Sequence, residues 1–311
     1  MKKILLFVAL LLPMLQMAQP PAPSFEDLEI QSSRHWLDID YVGDRFIGHR
    51  LDIHLPVEEK AQYPVVICIY GSAFFSNSSK AATFETGVGQ ALLEAGFAVV
   101  SINHRASTDS IFPAQIHDVR AAIRFIRANG AAFSLDTSFI AMTGWSSGGH
   151  LVSMAGTTNG MPRYELEGKT IDLEGDLGAH TDMSSSVDAV VDWFGPTDFL
   201  IMDECGSAMV HDDPKSPEST LVGGPIQDHP LATKLADPAT YAHAGSSPFL
   251  IFHGDEDPLV PHCQSEHLHE ELQQAGANSR LVIIPGGGHG PRVMIEQYYA
   301  EMVDFFIGVM K

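Results

Sequence analysis

The GWSSG motif at residues 144–148 constrains the fold of this chain more than any other feature, because of what lies on either side of it. The apolar run at 139–143 is typical of a buried strand, and the run at 149–155 is typical of a helix. A strand joined to a helix by so short a turn leaves no room for Cβ atoms, and the two flanking glycines meet that need. Such a turn projects the Ser146 hydroxyl from the edge of a sheet, beside the positive end of a helix.

A serine hydroxyl is a weak nucleophile at neutral pH unless a nearby base takes its proton, and that base needs a carboxylate to orient it. With this kind of turn, the expected chain order is serine, then acid, then histidine. Of three acids after the predicted strand 248–252, we predict Asp257, because the proline that follows stiffens the backbone, with Asp255 as the alternative. The last predicted strand leads into a glycine-rich loop, and His289 in that loop is the predicted base.

Acyl transfer to a serine creates an oxyanion, which needs two backbone N–H donors. The residue directly after the nucleophile, Ser147, is predicted to supply one of them. The second is expected in the loop 71–74, which follows the predicted strand 65–70. In that loop either Ala73 or Ser72 is the candidate donor.

These features and several further segments together resemble a known family. From about Trp36 to its C-terminus the chain resembles an α/β-hydrolase of the bacterial feruloyl-esterase-like branch, near hormone-sensitive-lipase-type carboxylesterases and acetyl xylan esterases. The resemblance implies the same serine, aspartate and histidine triad. Relatives usually carry His-Gly-Gly-Gly or His-Gly-Gly-Ala in the oxyanion loop, where this chain has YGSA at 70–73. The further segments are GFAVVSINHR at 96–105, FPAQIHDVRAAIR at 112–124, WFGPTD at 193–198 and SPES at 216–219.

Strands alternate with helical segments along the chain, which favours a mostly parallel central sheet with helices on both faces. We predict a single α/β-hydrolase domain over 36–311, preceded by a signal peptide at 1–18 and a proline-rich lead-in segment at 19–35. The charged start and short apolar run of that signal predict export to the periplasm or out of the cell. No later stretch is long and apolar enough to insert into a membrane.

Two long stretches, 161–186 and 199–241, fit the alternating pattern poorly. Long irregular insertions in a compact domain are usually lids or binding loops, so we expect both to form a cap over the pocket. Four aromatic side chains are predicted to line the substrate pocket, with core packing as the alternative for each: Phe74, Phe75, Trp145 and Trp193.

Charge and cysteine content exclude some functions. The formal net charge of −21 repels nucleic acid, so no nucleic-acid partner is expected. Cys68 lies in a predicted buried strand, and Cys205 with Cys263 is a conceivable bridge that the sequence alone does not decide. No Cys-x-x-Cys pair is present, and the histidines at 262–269 fit a solvated helix face, so no metal site is predicted. The sequence leaves the oligomeric state open.

The sequence therefore predicts an exported serine carboxylesterase that needs no cofactor and acts on small-molecule or carbohydrate esters through an acyl-enzyme. The resemblance favours acetyl or feruloyl esters of plant polysaccharides as substrates. One alternative is a serine peptidase of the prolyl-oligopeptidase type, which usually adds a propeller domain for which the stretch before the sheet leaves no room. The other is a catalytically impaired hydrolase that acts as a binding module, because the oxyanion loop is altered.

Overall fold

The computed structural model describes residues 29–311, so the predicted signal peptide and most of the lead-in segment lie outside the described residues. The strands are formed by short runs of apolar and β-branched residues, as the composition of these runs predicts. The strands are β1 (Arg34–Asp40), β2 (Arg50–Leu55), β3 (Tyr63–Ile69), β4 (Ala98–Ile102), β5 (Leu135–Trp145), β6 (Arg163–Leu166), β7 (Lys169–Asp172), β8 (Ala189–Trp193), β9 (Phe249–Gly254) and β10 (Ser279–Ile284).

Eight of these strands form one sheet in the order β1-β2-β4-β3-β5-β8-β9-β10. Strand β2 pairs antiparallel with both β1 and β4, and every other pair in the sheet is parallel. The prediction of a mostly parallel central sheet is therefore confirmed. The carboxyl ends of β3, β5, β8, β9 and β10 meet at one edge, which is where side chains from the following loops can converge.

Helices cover both faces of the sheet, also as predicted. Apolar residues of α3, α4 and α7 bury one face, and those of α2 and α8 bury the other. No helix between residues 29 and 311 combines the length and the apolar run that a bilayer span requires. The helices are α1 (Ala82–Glu85), α2 (Val88–Glu94), α3 (Ala114–Asn129), α4 (Ser147–Thr157), α5 (Pro217–Val222), α6 (Pro230–Leu235), α7 (Cys263–Gln274) and α8 (Glu296–Met310).

The first insertion, 161–186, does not form the predicted cap at the edge where the carboxyl ends of the parallel strands meet. It leaves from the far end of α4, forms the β6–β7 hairpin and packs along α3. Glu174 from this segment binds two buried guanidinium groups of α3, at 2.9 Å to Arg120 Nη1 and through a short contact to Arg124. The expectation failed because α4 runs back from Ser146, so a segment that follows α4 starts at the opposite edge of the sheet.

The second insertion, 199–241, does lie at the edge where the carboxyl ends of the parallel strands meet. It contains short 3-10 turns together with α5 and α6. A disulfide joins Cys205 in this insertion to Cys263 at the start of α7, so the bridge that the sequence left open is present in the structure. Cys68 is buried in β3 as a free thiol.

The Glu174 contacts lead to a stability prediction. The Glu174→Ala variant leaves Arg120 and Arg124, each 1% exposed, without their carboxylate. A buried charge without its partner is costly, so we expect the free energy of unfolding to fall by about 3 kcal/mol. Urea denaturation measures this change. The matched control is Glu165→Ala in the same hairpin, which is exposed and should change stability by less than about 0.5 kcal/mol.

Candidate active site

The turn between β5 and α4 holds Ser146 in a strained conformation, with φ 54° and ψ −126°. A Cβ atom on Gly148 would lie 2.2 Å from the carbonyl oxygen of Ile69, and one on Gly144 would lie 2.4 Å from that of Gly148. Neither approach is possible for a residue with a side chain. The two glycines therefore let α4 begin directly against β3, and Ser146 sits at the apex of the turn.

Three predicted residues meet at this apex. The Nε2 atom of His289 lies 3.0 Å from Ser146 Oγ, and its Nδ1 atom lies 2.7 Å from Asp257 Oδ2. Ser146 comes from the turn after β5, Asp257 from the loop after β9 and His289 from the loop after β10. Ser146, which is more than a hundred positions from the other two residues, thus joins them in a connected hydrogen-bonded series, in the geometry that lets a base take a proton from a serine.

The side chain of Asp257 is fully buried and held on both oxygens. Its Oδ1 accepts from the backbone N–H groups of Leu259 and Val260 at 2.9 and 3.0 Å. Burial favours the neutral carboxyl, but hydrogen bonds from His253 and His289 hold the pKa of Asp257 well below its usual range. Asp257 therefore carries the negative charge that orients His289.

Asp255, the alternative acid, faces elsewhere. It is exposed, and its Oδ1 accepts from the backbone N–H of Gly286, which connects the loop after β9 to the loop after β10.

A second histidine, His253, also contacts Asp257. His253 Nε2 is 2.8 Å from the carbonyl of Val260 and 3.5 Å from Asp257 Oδ2. Because a carbonyl oxygen only accepts hydrogen bonds, Nε2 of His253 carries the proton.

Hydrogen bonding in the loop after β3 distinguishes between Ser72 and Ala73, the two candidates for the second oxyanion donor. The N–H of Ser72 donates to Ser147 Oγ at 2.9 Å, so it is not available to an oxyanion. Within residues 29–311, neither the N–H of Ala73 nor that of Ser147 has an acceptor. Ala73 and Phe74 have φ of 51° and 63°, in the left-handed region that residues with a side chain rarely adopt. Ala73 and Ser147 are thus the pair with free donors.

A cleft of about 400 Å³ opens at Ser146. Of the aromatic residues predicted to line the pocket, only Trp145 lines this cleft. Phe74 is 1% exposed and packs against His150, and Trp193 is fully buried and stacks on Phe252 at 4.3 Å. Both belong to the core, because their backbone positions direct the rings away from the cleft. The lining is otherwise formed by Gly71, Ser72, Ala73, Thr86, Phe194, Leu259, His289, Gly290 and Met294.

Sequence reasoning missed several of these lining residues, among them Phe194, Leu259 and Met294. Phe194 has φ 45° and its ring centroid lies 4.6 Å from that of His289, so it packs directly on the base. Leu259 follows the acid by two residues, and Met294 lies in the turns after His289. The position of Leu259 in a loop after a strand was the only available signal. No residue of either insertion lines the cleft among those described.

A buried carboxyl supports the turn from behind. Asp192 at the end of β8 accepts from Ser153 Oγ and from the N–H of Gly195, both at 2.9 Å. A Cβ atom on Gly149 would lie 2.2 Å from its Oδ1, so the carboxyl packs against the first turn of α4. Burial raises the pKa of Asp192 to about 7.

One cluster has the side chains of a metal site. Ligand atoms of Asp198, Asp237 and His267 lie within 4.8 Å of one another. Each carboxylate already caps a short 3-10 helix, through Leu200 N–H and Ala239 N–H respectively, and Asp237 pairs with His267 at 3.8 Å. These contacts account for the cluster as helix caps with an ion pair.

Comparison with known proteins places the chain in a family. The model of the BD-FAE family matches residues 51–272, which is most of the chain. The chain belongs to the BD-FAE family. Among curated relatives it is 28% identical to esterase LipQ and 32% identical to esterase LipC of Mycobacterium tuberculosis, over 79% and 73% of its own length. It covers 55% and 53% of those proteins, so it spans about half the length of the curated relatives it matches.

Solved structures agree with this assignment. A truncated carbohydrate esterase from gut microbiota is 45% identical, with a TM-score of 0.86 over 90% of this chain and 98% of that one. A bifunctional GH43-CE protein of Bacteroides eggerthii is 48% identical, with a TM-score of 0.83 over 89% of this chain and 38% of its own. The BD-FAE chain described here thus has the α/β-hydrolase fold, and the predicted resemblance is confirmed.

The raised pKa of Asp192 leads to a prediction on pH and stability. An aspartate in an unfolded chain ionises near pH 3.9, so between about pH 4 and 7 folding must return a proton to Asp192. Stability conferred by this group therefore falls as pH rises through that window. The Asp192→Asn variant keeps the oxygen that accepts from Gly195 N–H. In place of the oxygen that accepts from Ser153 Oγ it has an amide NH2 group, which can donate to that hydroxyl and does not titrate.

Between about pH 4 and 7, we expect the unfolding free energy of Asp192→Asn minus that of wild type to increase by about 1.4 kcal/mol for each unit of rising pH. Urea titrations at pH 4, 5.5 and 7 measure the difference. The exposed Asp304→Asn variant is the control, with no pH-dependent difference expected. A constant difference for Asp192→Asn across the three pH values would contradict a neutral buried carboxyl.

Proposed function

We propose that this protein is an exported serine carboxylesterase that hydrolyses carboxylic esters through an acyl-enzyme intermediate. The observation that carries the proposal is the connected series of Ser146, His289 and Asp257 at distances of 3.0 and 2.7 Å, on a strained turn. The esterase names of its relatives support the same chemistry.

In the first half-reaction, Ser146 Oγ attacks the ester carbonyl carbon while His289 Nε2 takes the hydroxyl proton. The imidazolium that forms is stabilised by the negative charge of Asp257. The carbonyl oxygen becomes an oxyanion and accepts hydrogen bonds from the N–H groups of Ala73 and Ser147. His289 then gives its proton to the alkoxide oxygen, the C–O bond breaks, and the alcohol leaves.

In the second half-reaction, water takes the place of the alcohol. His289 removes a proton from the water as its oxygen attacks the acyl carbon, and the same two N–H groups stabilise the second oxyanion. The bond to Ser146 Oγ breaks, and the proton returns from His289 to the serine. The acid is released and the protein is regenerated without a cofactor.

We propose carbohydrate esters as the substrate class, with acetyl or feruloyl groups as the acyl part. The two solved structures at 45% and 48% identity are titled as a carbohydrate esterase and a GH43-CE protein, which supports this class. The cleft is apolar beside Ser146, where Trp145, Phe194 and Met294 can pack on a methyl or an aromatic acyl group. It is also open, so a bulky sugar-linked alcohol can approach.

Export is part of the proposal. The charged and apolar start of the chain has the form of a signal peptide. The Cys205–Cys263 disulfide supports the same location, because disulfides persist mainly in oxidising compartments. The impaired-hydrolase alternative has less support, since the replaced loop keeps a free donor at Ala73 and is braced by the bond from Ser72 to Ser147.

Kinetics of matched variants test this function. We expect wild type to hydrolyse p-nitrophenyl acetate, methyl ferulate and acetylated xylan, and Ser146→Ala to lose that activity. Asp257→Asn should lower kcat by about 10⁴-fold, because an amide holds the wrong histidine tautomer. Asp255→Asn, two residues away and outside the hydrogen-bonded series, is the control and should retain activity within a few-fold.

Two results would contradict the proposal. One is a folded wild-type protein that is inert on every ester, which would favour the binding-module alternative. The other is equal loss in Asp255→Asn and Asp257→Asn, which would show that the buried carboxylate has no special role. The ranking of methyl ferulate against acetylated xylan decides between feruloyl and acetyl groups.

A further inference from the structure

Residues 203–218 of the second insertion, which we call the strap, contact the loop that carries the proposed catalytic acid, Asp257. Near its start Cys205 is bonded to Cys263, just beyond that loop. Further along, the N–H of Ala208 donates to the carbonyl of Pro258 at 3.0 Å. The strap therefore contacts the segment on both sides of Leu259, although no strap residue lines the cleft among the described residues.

The carbonyl oxygen of Leu259 receives two hydrogen bonds from the strap. Ser207 Oγ donates at 3.0 Å and His211 Nε2 donates at 2.9 Å. Since a carbonyl only accepts, Nε2 of His211 carries a proton, and Ser207 Oγ also lies 3.0 Å from that nitrogen. The N–H of Leu259 donates to Asp257 Oδ1 at 2.9 Å. One peptide segment is thus held by the catalytic acid at its nitrogen and by the strap at its oxygen.

A buried ion pair lies on the other side of the His211 ring. Its Nδ1 lies 3.1 Å from Glu218 Oε2, and the two side chains are 1% and 5% exposed. Burial opposes the charged ring, but the contact with Glu218 holds the pKa of His211 above its ordinary value. The backbone N–H of His211 also donates to the Asp203 carboxylate at 2.8 Å, which folds the strap back on itself.

From these contacts we propose that His211 is a positioning residue that sets the place of Leu259 and thereby the width of the ester cleft. The inference rests on the proposed esterase function, which it deepens by assigning selectivity to the strap. Leu259 is 40% exposed at the cleft and lies between its two anchors, so loss of the His211 bond releases the cleft wall. The Cys205–Cys263 bridge limits how far the wall can move.

Two esters of opposite shape test the proposal. In p-nitrophenyl acetate the acyl group is small and the alcohol is bulky, and in methyl ferulate the reverse holds. In His211→Ala we expect the ratio of kcat/KM for the two esters to change about tenfold, mainly through KM, because a displaced wall affects one side of the substrate more than the other. Leu259→Ala, which removes the wall side chain, should change the ratio in the same direction.

The conservative variant His211→Gln distinguishes a positioning role of His211 from a general effect on protein stability. His211→Gln places an amide N–H near the former Nε2 and should restore the wild-type ratio. Amide hydrogen exchange of segment 257–260 gives a readout that needs no activity, and we expect faster exchange in His211→Ala and wild-type exchange in His211→Gln. The Cys205→Ser/Cys263→Ser double variant should also speed exchange in this segment.

Equal loss on both esters, or an unchanged ratio in His211→Ala with wild-type exchange at 257–260, would overturn the proposal. Failure of His211→Gln to restore the ratio would do the same, because the lost N–H could then not be the cause. An inert wild type would instead refute the esterase function itself. In that case the exchange experiment still decides whether the strap holds the acid loop.

Discussion

The close approach of α4 to the end of β3 is the contact on which the site depends. Gly148 lies against the carbonyl groups of Ile69 and Tyr70, at separations that exclude any side chain. This brings the first turn of α4 beside the loop that follows β3, so Ser147 Oγ can accept from Ser72 N–H. One packing contact therefore places Ser146, the proposed nucleophile, and the proposed oxyanion loop relative to each other.

The strain that this approach imposes on Ser146 is balanced by its surroundings. The N–H of Ser146 donates to the Trp193 carbonyl at 2.9 Å, and its own carbonyl accepts from His150 at 3.1 Å. Asp192 packs behind the same turn. Strained backbone persists only where neighbouring structure determines it, and here β8 and α4 do so. The acid loop is held in a comparable way, by His253 beneath it and by the strap beside it, which keeps Asp257 in place before substrate binds.

Much of this architecture could be predicted from the sequence. The strand-turn-helix context identified Ser146, and chain order then selected Asp257 and His289, which the structure brings together. Pocket aromatics could not be predicted in the same way. Whether Trp193 points into the cleft or under α8 depends on the register of β8, and it stacks on Phe252 in the core. For 161–186, the starting edge follows from the direction of α4, but the packing along α3 could not be predicted, because it depends on the Glu174 contact between residues far apart in the chain.

We propose that Ser146 is a nucleophile activated by His289. The most direct test is the intact mass of the protein after incubation with a fluorophosphonate, which reacts with activated serines. From this proposal we expect one adduct per chain, located on Ser146 by peptide mapping, with reaction slowed by orders of magnitude in His289→Ala. Labelling at another serine, or equal labelling rates in wild type and His289→Ala, would contradict it.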